Sequence, residues 1–156
     1  MRILLPQHKD AVLACAKALV DEENAELDPM EREMRAWTAR WRGEALDHYL
    51  SLGWSFGAFD KNDGVQAFLL AQPYLFHRGL TQTLWVEQIL APPPLLPPTQ
   101  NELARALLDT AWRWARDKHF QCVLLEEAPG LEALLREWQK SHRVEAPLIE
   151  LRTTKY

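Results

Sequence analysis

Glu87 stands in Leu84 to Leu90, LWVEQIL, a run that is apolar apart from Glu87 and Gln88. A carboxylate in such a run is solvated on an exposed face, paired with a cation, or placed to take a proton in a cleft. A second candidate is Gly53-Trp54-Ser55-Phe56-Gly57, which spells G-x-S-x-G. That motif needs a strand before the serine and a helix after it. Here a helical pattern comes first and a strand-like run follows, so Ser55 is expected within a strand where something packs closely. The five histidines are dispersed, with no i, i+4 pair or cysteine partner, so no metal site is expected. His119 reads as a helix C-terminal residue and His48 as a helix surface or groove residue.

A third place for chemistry is the joint from Leu84 to Trp112, where a strand-like run passes through five prolines in seven residues and enters a long helical pattern. A helix N-terminus offers unpaired N–H groups and the positive end of the helix dipole, which suits a phosphate. This joint contains no glycine. Thr99-x-x-Glu102 instead reads as a capping box, in which each side chain satisfies an N–H group at the helix start.

These residues must be positioned by a chain of 156 residues, 47% hydrophobic and 26% charged, which fits one domain over 1–156 with a core that needs no disulfide or metal. A net charge of -4 gives no general attraction to a phosphate backbone, so nucleic acid is not an expected partner. Cys15 and Cys122 suit buried free thiols in a reducing cytoplasm. Pro6 to Asp10 break any apolar leader ahead of the VLAC segment at Val12, and no run approaches the roughly 20 apolar residues of a membrane span.

Arg2 to Pro6 reads as a short strand, and the apolar spacing from His8 to about Glu23 as an amphipathic helix. Pro29 suits the first turn of a helical region running to about Leu52, divided at Gly43, in which Met34, Trp37, Trp41 and Leu50 share apolar faces. Trp37 and Trp41, with Tyr49 and Trp54 near them, either plug the core or line an acceptor groove. Gly53 to Asp60, Val65 to Phe76 and Thr81 to Ala91 form an antiparallel meander, with Asp63-Gly64 as its first turn and an irregularity or edge at Pro73. Leu103 to about Lys118 carries a helical apolar stripe, on which one of Trp112 and Trp114 faces outward. Gln121 to Glu126 reads as a strand covered on both faces, followed by a short helix over 129–140 and a terminal strand over about 144–154. Glu126-Glu127 reads as a solvated end.

That element order, together with LWVEQILAP and LARALLDTAWRWARDKHFQCVLLE, resembles the GNAT superfamily of acyl-CoA-dependent N-acyltransferases. The resemblance implies an α/β (α+β) fold, with a mixed, mainly antiparallel sheet of six to seven strands flanked by about four helices. It further implies a central strand that splays from its neighbour and holds the pantetheine arm on free N–H groups, here Ile89, Leu90 and Ala91, with Glu87 as the base. The family's pyrophosphate loop, Gln/Arg-x-x-Gly-x-Gly/Ala, falls on Thr99, Gln100, Asn101 and Ala104, with Glu102 at the central glycine. A carboxylate ~5 Å from a phosphate costs on the order of 3 kcal/mol at an effective dielectric near ~20, about a hundredfold in affinity.

The family's tyrosine acid should lie in ALLREWQKSHRV, where Glu137 and Ser141-His142 stand instead. Two functions follow. One is transfer of an acyl group from acetyl-CoA or another acyl-CoA to a small-molecule or peptide amine by a cytoplasmic monomer or homodimer. The other is a binding or regulatory module of the same fold that has lost the acyl-CoA site and takes a protein partner.

Overall fold

A side chain organises the turn that fixes the centre of the sheet. Asp60 Oδ1 accepts from the N–H groups of Asn62 and Gly64, both at 2.8 Å, and Asp60 N donates to Gly64 O at 2.9 Å. Asp63, a residue type that tolerates the left-handed region, takes φ 68 there. In this computed structural model, residues 1–23, 26–77, 79–92, 102–126, 141–143 and 148–153 are described. The turn joins β2 (Phe56–Phe59) to β3 (Val65–His77), which continues into β4 (Leu80–Leu90), giving the expected meander.

With β1 (Arg2–Ile3), β5 (Cys122–Glu126), β6 (Ser141–Arg143) and β7 (Leu148–Arg152), the described residues form a seven-stranded sheet in the order β1-β2-β3-β4-β5-β7-β6. The β4–β5 pair is parallel and the others are antiparallel. The terminal strand expected over about 144–154 is β7, and Ser141–Arg143, just ahead of that range, forms a further strand that pairs with it. Ser141 and His142 thus belong to a strand, and the helix expected over 129–140 lies outside the described residues.

Four helices are described: α1 (Lys9–Glu23), α2 (Pro29–Thr38), α3 (Gly43–Leu52) and α4 (Glu102–Asp117). Asp28 caps α2 by accepting from Met30 N at 2.7 Å, and Pro29 follows in its first turn, where a missing N–H costs nothing. Gly43 does divide the helical region, since α3 starts there. Gly53 then ends α3 at φ 70, a left-handed cap position that a side chain would strain.

The expectation that Met34, Trp37, Trp41 and Leu50 share apolar faces holds for Trp41 and Leu50, which pack in one core, and not for Met34 and Trp37. Trp37 is 73% exposed, Met34 is exposed, and α2 buries no residue, whereas Trp41 in the α2–α3 connection is 5% exposed. The connection, not the helix, provides the anchor. Trp112 and Trp114 divide less sharply: Trp112 is buried, and Trp114 is partly buried against the core.

α4 carries the chain from β4 to β5 and lays Leu107, Leu108, Ala111, Trp112 and Ala115 on one face of the sheet, against Phe56, Leu69, Ala71, Leu84 and Val86. It closes through His119, at φ 63, with Phe120 N donating to Ala115 O at 2.9 Å. The opposite face is covered by α1 and α3, where Val12, Cys15, Ala16, Leu46, Tyr49 and Leu50 pack on Phe68 and Leu70. Cys15 and Cys122 are buried free thiols.

Candidate active site at the fork of strands β4 and β5

Two register features define the site. β5 pairs with β4 from Thr83↔Cys122 to Val86↔Leu125 and no further, while β4 continues to Leu90 against β3. The last four residues of β4 therefore run beyond their final rung to β5, and the two strands fork. At the fork the β3–β4 ladder slips: Leu70 pairs with Gln88 and Ala71 with Val86, which leaves Glu87 as an extra residue. Such a bulge bends the strand and re-aims a side chain, and bulges concentrate next to active sites. Pro73, where an irregularity was expected, keeps its register opposite Leu84. It lies past the last β2–β3 rung, Phe56↔Leu69, on an edge that β2 does not reach.

Because Ala71 belongs to the α4-side core, Gln72 and its cross-strand partner Trp85 look toward α3, and so does Glu87, two residues beyond Trp85. Trp85 Nε1 donates to Glu87 Oε2 at 2.8 Å. The Tyr49 phenol, from α3, lies within the electrostatic reach of Glu87. Burial first, then the negative charge of Glu87, pushes the phenol well above its ordinary range, so it keeps its proton. Gln72 extends the network, with Nε2 donating to the Tyr74 hydroxyl at 3.2 Å and to the Tyr49 hydroxyl at 3.5 Å. Its Oε1 lies 2.9 Å from His48 Nε2, and Tyr74 stacks on Trp85 with centroids 6.2 Å apart.

Arg40 enters from the α2–α3 connection. Its Nη1 donates to the Glu87 carbonyl at 2.8 Å, its Nη2 to Glu126 Oε2 at 2.6 Å, and its Nε lies 3.4 Å from Glu87 Oε1. The hydrogen bond to Glu126 pushes the Arg40 guanidinium above its usual value. Glu87 is thus the paired carboxylate of the three alternatives, with a side chain 21% exposed. Glu126, expected to be a solvated end, is the second acceptor of the same arginine.

The other expected site residues are distributed as follows. Ile89 and Leu90 close β4, Ile89 against the α4-side core and Leu90 against the α1–α3 core, and Ala91 follows on the α4 side. Ala104 is buried in the first described turn of α4, which opens at the exposed Glu102. Thr99, Gln100 and Asn101 lie outside the described residues, and with them the Thr99–Glu102 capping box.

Ser55 precedes β2, is fully buried, and accepts from Ala71 N at 3.2 Å through its Oγ. It stitches β2 to β3 at the point where their ladder ends, which accounts for the G-x-S-x-G segment without catalysis. Among the described residues no group of three His, Cys, Asp or Glu side chains is placed to hold a metal ion. No helix among them is long and apolar enough to cross a membrane.

Sequence reasoning missed Arg40, the place of Tyr49 beside Glu87, Gln72 and Tyr74. Part of this was accessible, because Trp85 and Glu87 are two apart on a strand and must share a face. Nothing local marks Arg40, whose partners are 47 and 86 residues away.

No family model matches the chain, and no curated protein sequence matches it. Solved structures do. A Drosophila melanogaster polyamine N-acetyltransferase that forms N-acetylagmatine is similar over 96% of this chain and 95% of its own, with a TM-score of 0.62 at 13% identity. A GNAT-family acetyltransferase from Staphylococcus aureus Mu50 covers 97% of each chain at TM-score 0.61 and 7% identity. A chain of the NatC complex bound to Gag peptide and CoA is similar over 99% of this chain and 100% of its own, at TM-score 0.60 and 16% identity. At such identities what is shared is the backbone plan: the chain has the GNAT fold, the fold of the acyl-CoA-dependent N-acetyltransferases.

Proposed function

We propose that this protein transfers an acyl group from acyl-CoA, acetyl-CoA being the simplest donor, to a primary amine on a small molecule or peptide. The observation that carries the reading is the coincidence of three features at one point: the β4–β5 fork, the β4 bulge, and a hydrogen-bonded carboxylate on the bulged residue Glu87. In this reading Glu87 takes the proton that the attacking amine must lose, directly or through a water. Trp85 holds the carboxylate by a hydrogen bond, beside the Tyr49 phenol. Within Ile89, Leu90 and Ala91, the N–H groups that point away from β3 serve the pantetheine arm and the thioester oxygen, and the diphosphate is assigned to the start of α4 at Ala104 with Thr99, Gln100 and Asn101 before it in sequence. When bound, acyl-CoA supplies an activated thioester.

The fit is good at the fork and poorer at α4. β4 runs past its last β5 rung where an extended ligand arm needs backbone partners, and the small Ala104 permits close approach. Glu102, in contrast, places a carboxylate at the diphosphate end. Glu102 favours a second reading, a binding module of the same fold that takes a protein partner and no acyl-CoA. The similar structures that act on polyamine or bind peptide and CoA support the acyltransferase reading as analogues. The two buried free thiols support a cytoplasmic setting. Monomer and homodimer both suit the first reading.

Thermal unfolding with millimolar acetyl-CoA separates the two. Ligand at ~100 times its Kd adds about 2.7 kcal/mol of stability, a rise of several degrees in Tm. Such a rise, followed by thiol release in the presence of a primary amine, is the expected outcome. An unchanged Tm at millimolar acetyl-CoA would remove the acyltransferase reading.

A further inference from the structure

We infer that Arg40 is a positioning residue for Glu87, a guanidinium clasp that bridges the β4 bulge and the end of β5. The inference deepens the acyltransferase reading and rests on it only for its catalytic consequence, since the clasp itself is a matter of geometry.

Arg40 is delivered to the fork by a constrained connection. Ala39 N bonds to Ala36 O at 3.3 Å, Arg42 N to Ala39 O at 3.1 Å, and Leu46 N to Arg42 O at 3.0 Å, so hydrogen bonds span the link from α2 into α3. The adjacent Trp41 is buried in the α1–α3 core and fixes the link against the sheet. From there the guanidinium meets three acceptors on two strands: the bulge carbonyl of Glu87, its carboxylate, and the carboxylate of Glu126. A guanidinium spreads five N–H donors over three nitrogens and so reaches acceptors on two strands at once, whereas a lysine gathers its three donors at one point.

The consequence falls on Glu87. A bulged residue is out of ladder register, and here its carbonyl takes a charged donor at 2.8 Å. Its two carboxylate oxygens face different partners, Oε1 toward Arg40 and Oε2 toward Trp85, which fixes the plane of the group. Among the described residues, the charged and titratable groups around it are Arg40 from the connection, Tyr49 from α3, Tyr74 from β3, and Glu126 from β5 through Arg40. Arg40 is the cation of that set. Removing it leaves the Glu87 carbonyl and the Glu126 carboxylate without that donor.

The Trp85 indole N–H reports this directly, because it donates to Glu87. With 15N-labelled full-length protein, one of the seven tryptophan indole signals is assigned to Trp85 through Trp85→Phe. That signal is then compared at neutral pH in wild type, Arg40→Gln and Arg40→Lys, with Glu87→Gln marking its position once the carboxylate is lost. The clasp predicts that in Arg40→Gln the Trp85 signal moves toward its Glu87→Gln position, because the carboxylate is no longer held in one plane. It predicts a smaller displacement for Arg40→Lys, which keeps the charge and also covers the case in which Arg40→Gln does not fold. A Trp85 signal unmoved in both variants would overturn the inference. In the acyl-transfer assay Arg40→Gln should lower kcat about tenfold with KM nearly unchanged, and Arg40→Lys should recover part of that loss. A wild type that transfers no acyl group would instead defeat the acyltransferase reading, while the indole result would still decide the clasp.

Discussion

Ala71 and Gln72 are adjacent on β3, yet they face different chemistry. Ala71 packs with Leu84, Val86, Leu107 and Leu108 under α4, among apolar side chains. Gln72 looks the other way, toward His48, Tyr49, Tyr74 and Trp85, which lead to Glu87 and Arg40. The bulge at Glu87 sits where the two environments meet. The α4 side can be rigid because nothing on it has to exchange a proton, and that rigidity lets the opposite side hold a partly exposed carboxylate in one orientation.

The sharpest way to break this contrast is a pair of substitutions, one per face. Glu87→Gln keeps the shape of the side chain and removes its basicity, so acyl transfer should fall by about 10² to 10⁴-fold, with only a small change in the urea midpoint. Leu107→Ala, on the fully buried stripe of α4, should cost about 3 kcal/mol in urea unfolding and leave kcat at permissive temperature nearly intact. If Leu107→Ala abolished turnover in protein that is still folded, or Glu87→Gln left turnover unchanged, the division of labour would be wrong.

Much of the α4 side was legible in the sequence, because its signals are local. The stripe of Leu107, Leu108, Ala111 and Ala115 repeats at helical spacing, and QCVLLE is a continuous apolar run. Pro29 and Gly43 likewise marked helix boundaries through backbone chemistry that needs no tertiary partner. On the other side only Glu87 stood out, as a carboxylate in an apolar run. Its bulge was not legible, since register is set by two strands together and a one-residue slip leaves composition unchanged. Arg40 looked like any solvated arginine because its partners arrive from β4 and β5. Trp37 misled for a related reason: its helical spacing with Trp41 is real, but the helix ends at Thr38, so the two side chains do not share a face.

Ser55 tests the boundary between the faces at intermediate strength. Its hydroxyl accepts from the buried Ala71 N–H. Ser55→Ala leaves that donor unsatisfied and should cost about 1 to 2 kcal/mol in chemical denaturation, with no specific loss of activity. A large loss of turnover with stability intact would revive a catalytic role for the G-x-S-x-G serine. Tyr49→Phe should be gentler still on stability, while losing the hydroxyl beside Glu87 should slow acyl transfer about tenfold, a free-energy change of ~1.4 kcal/mol. A rate equal to wild type would show that Trp85 and Arg40 hold Glu87 without it.

The smallest expected effect lies at alkaline pH and involves the same phenol. Burial and the charge of Glu87 raise the ionisation of Tyr49 in the folded chain, so the folded state retains a proton that the unfolded state releases near ~10. The stability linked to that proton is complete below about pH 10 and is lost as pH rises above it. Cys15, whose thiol burial pushes up to about 11 from an ordinary 9.0, adds a contribution of the same sign between those two values. Urea midpoints should therefore decline above about pH 9, and more steeply above about pH 10 in wild type than in Tyr49→Phe. The tyrosinate absorbance that distinguishes the two proteins should appear only as the chain unfolds. Ionisation of Tyr49 in the folded protein near pH ~10 would mean that water reaches the phenol and that the Glu87 side of the sheet is far more open than its hydrogen bonds imply.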